Sequence, residues 1–161
     1  MPTVYIETSI VSYLRTRPSS QVIAAARQLM TRRWWDDERQ NYELVTSQFV
    51  LDEAAKGDTE LATNRLESLA DIPLLELPDE VATLAHELVS NAILPRKALL
   101  DALHICIASF HGIEFLLTWN CTHIANARLL PRVRRFLAQR GHGMSEVCTP
   151  EELLDEVNPI D

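Results

Sequence analysis

The sequence predicts an α/β fold, a single domain built around a mostly parallel sheet. Two observations carry this. Short runs rich in β-branched, aromatic and leucine residues alternate with longer stretches of helical apolar spacing, the order that builds strand–helix–strand units. The 161 residues also hold no internal repeat, low-complexity tract or linker-like stretch, and they suffice to bury one sizeable core. Residues 1–161 are therefore expected to form one domain, with an acidic tail from about residue 151.

Each element has its own justification. "TVYIE" reads as a short buried strand ending at Glu7, and "TSIVSYL" as a helix capped by Thr8. "SSQVIAAARQLMTRRWWDDERQ" predicts a long helix with Val22, Ala25, Ala26, Leu29 and Met30 on its apolar face. "YELVT" is a second strand, and Ser47 caps the helix of "QFVLDEAAKGD". Gly57 stops that helix and Asp58 caps "TELATNRLESLA". "IPLLEL" is the third expected strand. Pro78-Asp79 opens "EVATLAHELVSNAIL", and Pro95 separates it from "LLDALHICIASF". "IEFLLTW" is a fourth strand, followed by short helical stretches around "HIANARLL" and "RVRRFLAQR". "EVC" is the fifth. In "TPEELL", Thr149, Pro150 and Glu152 have the spacing of a capping box.

Composition narrows the class. No stretch approaches the roughly 18 apolar residues of a membrane span, and the N-terminus lacks the basic and apolar regions of a signal peptide. Cys106, Cys121 and Cys148 show no CxxC spacing, so neither a zinc ribbon nor a disulfide framework is indicated, and a reducing cytoplasm is the expected home. The net charge of -8 is unevenly spread: "ARLLPRVRRFLAQR" carries Arg128, Arg132, Arg134, Arg135 and Arg140 without an acid. That run suits a polyanion, a solvated helix face or a protein contact. Trp34 and Trp35, after Arg32 and Arg33, suit stacking on RNA bases or a partner interface.

Asp101 interrupts an almost wholly apolar helix, where an isolated charge is costly. Either it lies at an edge in water or it has a partner, a base or a metal ion. In parallel sheets ligands gather at the carboxyl ends of strands. Glu7 ends the first strand, Glu53 lies in the helix after the second, and Asn120 follows the fourth, so all can converge with Asp101. Oxygen donors without a His or Cys cluster suit Mg²⁺ or Mn²⁺. The plain alternatives are a helix-capping role for Glu7 and a surface position for Glu53. Thr8 opens a helix whose N–H groups suit a phosphate, and Thr118 is placed to bond a metal ligand or the scissile phosphate. With Arg128 these are the candidate substrate contacts. His104, three residues from Asp101, either orients it or is a satisfied core histidine, and His123 carries the same ambiguity.

"VYIETSIVSYL", "SQFVLDEAAKGD", "LLDALHICIASFHGIEFLLTWNCTHIANA" and "CTPEELL" together resemble the PIN-domain family, and within it the VapC-type toxins of bacterial toxin–antitoxin pairs. The resemblance implies a three-layer α/β/α fold and an Mg²⁺- or Mn²⁺-dependent endoribonuclease acting on RNA. It also implies a homodimer and a cognate antitoxin that wraps the active site. The family's acids map onto Glu7, Glu53 and Asp101 as metal ligands, with Asn120 completing the catalytic set. Two departures stand out. Glu7 replaces the usual Asp, and Asn120 replaces the fourth acid, leaving three carboxylates. A PIN-like module that binds RNA or protein with weakened catalysis is therefore the alternative.

Overall fold

The computed structural model describes residues 1–155, so the predicted acidic tail beyond Asp155 lies outside the described residues. Four strands, β1 (Thr3–Ile6), β2 (Glu43–Val45), β3 (Phe115–Leu117) and β4 (Glu146–Cys148), pair in parallel in the order β2-β1-β3-β4. Tyr5 stands opposite Val45 on one side and Leu116 on the other. Val4, Tyr5, Ile6, Leu116 and Leu117 are all fully buried. Successive residues of a strand face opposite sides, so both faces of the sheet are covered.

The covering helices are α1 (Thr8–Leu14), α2 (Val22–Arg33), α3 (Gln48–Ala54), α4 (Thr59–Leu69), α5 (Asp79–Ser90), α6 (Leu99–Phe110) and α7 (Leu130–Gln139). They form two packed groups, α1 against α2, α3 and α4, and α5 against α6 and α7. The expected α/β fold is present, with the sheet as its middle layer.

Three elements differ from expectation. "IPLLEL" contributes only a bridge between Leu74 and Thr46, because Pro73 lacks a donor and the segment sits at the sheet's margin. "HIANARLL" folds as turns, and α7 starts only at Leu130 with Pro131 in its first turn. The long N-terminal helix ends at Arg33 and gives way to a π-helical turn, Trp34–Glu38. There both tryptophans are buried: Trp34 packs on Tyr42 and Trp35 lies under the Arg39 guanidinium. They form a core anchor, not an exposed stacking platform.

That anchor also sets the rotation of α2. Gln28 and Thr31, two turns and one turn before the tryptophans, point inward, while Val22, Ile23 and Leu29 are exposed. Val22, Ala26 and Leu29 of the predicted apolar face are therefore turned outward, while Ala25 and Met30 stay half-buried, Met30 against the core. The buried amide of Gln28 is satisfied, accepting from Ser19 N and donating to the Arg17 carbonyl.

Candidate active site

From β1 the sheet grows through β2 on one side and through β3 and β4 on the other. The carboxyl ends of β1 and β3 thus flank a crevice at the point where strand order reverses. Every acid singled out in the sequence lies beside it.

Glu7 directly follows β1, and its N–H still pairs with Leu117 O of β3. The cap of α1 is Glu7, not Thr8: its Oε2 accepts Ser9 N at 3.0 Å and the Ser9 hydroxyl. The same oxygen accepts the Thr118 hydroxyl at 2.8 Å. A carboxylate is well placed against the partial positive charge of a helix start.

Glu53 reaches the crevice from α3. Its Oε1 accepts the Thr8 hydroxyl at 2.7 Å and lies 2.5 Å from His104 Nε2. His104 is fully buried, and its Nδ1 is 2.7 Å from the Tyr5 hydroxyl, which is in turn 2.7 Å from Ser47 Oγ. A buried polar chain therefore runs from Ser47 through Tyr5 and His104 to Glu53. Burial pushes the Glu53 carboxyl up, but the hydrogen bond and charge of His104, the Thr8 hydroxyl and Lys56 together draw it below its ordinary range. Burial foremost keeps the Tyr5 hydroxyl protonated well beyond its ordinary range.

Asp101, in the first turn of α6, has both oxygens engaged. Asn120 Nδ2 donates to Oδ1 at 2.9 Å and His123 Nδ1 is 2.9 Å from Oδ2. Asn120 is itself held on three sides. Its N–H donates to Thr118 Oγ1, its Oδ1 accepts His123 N, and its amide meets Asp101. Thr118 thereby links Glu7 to Asn120 and Asp101.

The structure thus bonds Glu7, Thr118, Asn120 and Asp101 into one network and Thr8, the chain neighbour of Glu7, to Glu53, whereas Arg128 shares no bond with either and lines a hollow of its own. Each histidine takes one of the two roles left open for it, His104 as a satisfied buried histidine and His123 as a residue that orients Asp101. His104 serves Glu53, and His123 is the partner of Asp101. The sequence marks Ser47 only as a helix cap and gives Tyr5 no role, although a tyrosine inside a buried strand must find a partner for its hydroxyl.

Oε1 of Glu7 and Oε2 of Glu53 accept no hydrogen bond from the described residues. Oxygen donors at a negatively charged edge fit a hard divalent cation. Among the described residues, no three acids, histidines or cysteines stand close enough together to hold a metal ion by themselves. An ion here would keep several of its waters, as Mg²⁺ commonly does.

Residues 4–120 match the PIN domain family, and the chain belongs to it. No curated protein matches the sequence. Among solved structures the chain is similar to the crystal structure of VapC20 from Mycobacterium tuberculosis, described as a sarcin-ricin loop cleaving toxin. The two are 16% identical, with a TM-score of 0.58 over 74% of this chain and 92% of that one. At this identity the likeness speaks for the fold.

Proposed function

We propose that this protein is a metal-dependent endoribonuclease, the toxin of a toxin–antitoxin pair. The observation that supports this is a pair of adjoining networks at the carboxyl end of a PIN-family sheet, Glu7–Thr118–Asn120–Asp101 and Thr8–Glu53, which meet at the chain neighbours Glu7 and Thr8. Glu7, Glu53 and Asp101 are the residues that would hold Mg²⁺ or Mn²⁺. The bound ion supplies Lewis acidity toward the phosphate and an activated water. Ser9 and Thr118 fix the Glu7 carboxylate, and Thr8 and His104 fix that of Glu53. Because the Thr8 and Thr118 hydroxyls are engaged in this way, they serve substrate binding through the acids they position. Arg128 is a direct phosphate contact.

RNA is the substrate, and a structured loop, as cleaved by VapC20, is the first kind to try. A cognate antitoxin covers the crevice. The exposed Val22, Ile23 and Leu29 of α2 supply an apolar face for a homodimer. No helix among the described residues is long and apolar enough to cross a membrane, and the proposed compartment is the cytoplasm.

The test is cleavage of RNA by wild-type and Asp101→Ala protein with Mg²⁺, with Mn²⁺ and with chelator. Cleavage that needs the ion and falls at least 100-fold in the variant is expected. No cleavage with either ion overturns the nuclease assignment. The engagement of both Asp101 oxygens favours a second function, an RNA- or protein-binding module with weakened catalysis. Substitution of Asn120 separates the two.

A further inference from the structure

A groove of about 780 Å³ runs between the end of α5, the start of α6 and the start of α7. Val89, Leu94 and Leu99 give it apolar walls, while Arg96 and Arg132 give it charge, and no carboxylate lines it. A hollow of about 270 Å³ shares Arg132 with the groove and adds Arg128 and Asn126. In a chain of net charge -8, this acid-free basic track is a local concentration of positive potential. Its arginines are also free: among the described residues Arg96, Arg128 and Arg132 form no ion pair, whereas Arg134 and Arg140 are matched to Glu146 and Glu87.

The track lies near the site and not within it. Leu99 and Asp101 share the first turn of α6 on different faces. In the hollow, Asn126 donates to the carbonyl of Thr122, next to His123, whose ring holds Asp101. We infer that this groove is a subsite for the single-stranded RNA that flanks the cleaved bond. The inference rests on the nuclease function proposed above. Unpaired arginines match successive phosphates, and apolar walls with guanidinium planes accept unstacked bases. The volume lies within the range of small-ligand clefts, about 300–1,000 Å³, and seats one or two nucleotides, not a duplex. It also resolves an electrostatic problem. The three carboxylates repel a phosphate chain, and the arginines hold the strand where the acids do not.

The experiment measures binding of a fluorescent single-stranded oligoribonucleotide, in chelator, across a salt series. Wild type is compared with the triple variant Arg96→Ser/Arg128→Ser/Arg132→Ser and with the corresponding triple lysine variant. These side chains are exposed, and thermal melting checks that folding is intact. The serine variant is expected to bind at least tenfold more weakly. Its slope of log affinity against log salt becomes shallower by about 2, roughly 0.7 for each of three phosphates released. The lysine variant keeps most of the slope. Equal affinity and slope in the serine variant overturn the subsite, and RNA cleavage by wild type then leaves the nuclease standing. Arginine-dependent RNA binding without cleavage does the reverse. Binding of poly-glutamate but not RNA through the same arginines overturns the inference in favour of an acidic peptide partner.

Discussion

Asn120 donates its amide to one oxygen of Asp101 while His123 holds the other, so the protein itself compensates a carboxylate that begins an apolar helix. Asn120→Asp removes that donor and sets a second carboxylate against the first. Without metal, the variant is expected to lose about 1–3 kcal/mol of stability, from a lost hydrogen bond and like-charge repulsion. Mg²⁺ or Mn²⁺ should restore its melting temperature and raise cleavage above wild type, which thermal melts and RNA assays in chelator and in metal will check. A variant equally stable in both media and no more active would show that the site never required the charge. Glu53 carries a different signature. Its folded value lies below the ordinary 4.5, so its stabilisation is fully present above that value and is lost as pH falls through the lowered one. Urea midpoints in chelator should therefore fall on acidification below about pH 4.5, with a shallower fall in Glu53→Gln. A Glu53→Gln profile that overlays wild type would remove the carboxylate from that role. The acids were legible because each follows a strand or interrupts an apolar helix. Their histidine partners were not: three-residue spacing puts His104 near Asp101 on the helix surface, but its ring turns to Tyr5 and Glu53, contacts set by distant elements.

The end of α6 shows how a local signal positions the site from a distance. Gly112 has φ 68°, its N–H bonds Ser109 O, and Ile113 N–H bonds Ala108 O, which together form a Schellman stop. Ile113 is buried, and the chain then enters β3, which ends one residue before Thr118. A Cβ at Gly112 meets nothing within 4 Å, so Gly112→Ala tests backbone strain alone. Left-handed strain of about 1–2 kcal/mol, less the lower entropy of unfolded alanine, gives a net loss near ~1 kcal/mol. Urea unfolding measures it, and no loss would mean that the turn relaxes without cost. The Asp58 cap, Pro78 and Pro95 were comparably readable, and the helices they bound lie where expected. Failures arose where packing overrode local pattern. The tryptophan pair rotated part of the apolar stripe of α2 outward, and Pro73 left "IPLLEL" with one bridge.

At the scale of the molecule, one contiguous core takes in Val4 of β1, Trp34 beyond α2, Cys106 of α6 and Cys148 of β4. The two helical groups therefore share the sheet and most of its buried surface, which leaves neither a separate core. We expect the chain to unfold as a single unit, and its own residues supply probes on both sides. Trp34 and Trp35 report on the end of α2, and Trp119 on the site. Cys106 and Cys148 are buried, with thiols pushed up to about 12 by that burial, whereas Cys121 is exposed. In the folded protein a thiol reagent should label Cys121 alone, because reaction requires both access and thiolate. Across a urea series, labelling of Cys106 and Cys148 should rise at the same midpoint as the change in tryptophan fluorescence and the loss of helical circular dichroism. If Cys106 became reactive before the tryptophan signal changed, α6 would open apart from α2. The acids from β1 and α3 would then belong to a different cooperative unit from Asp101, and the site would come apart before the fold does.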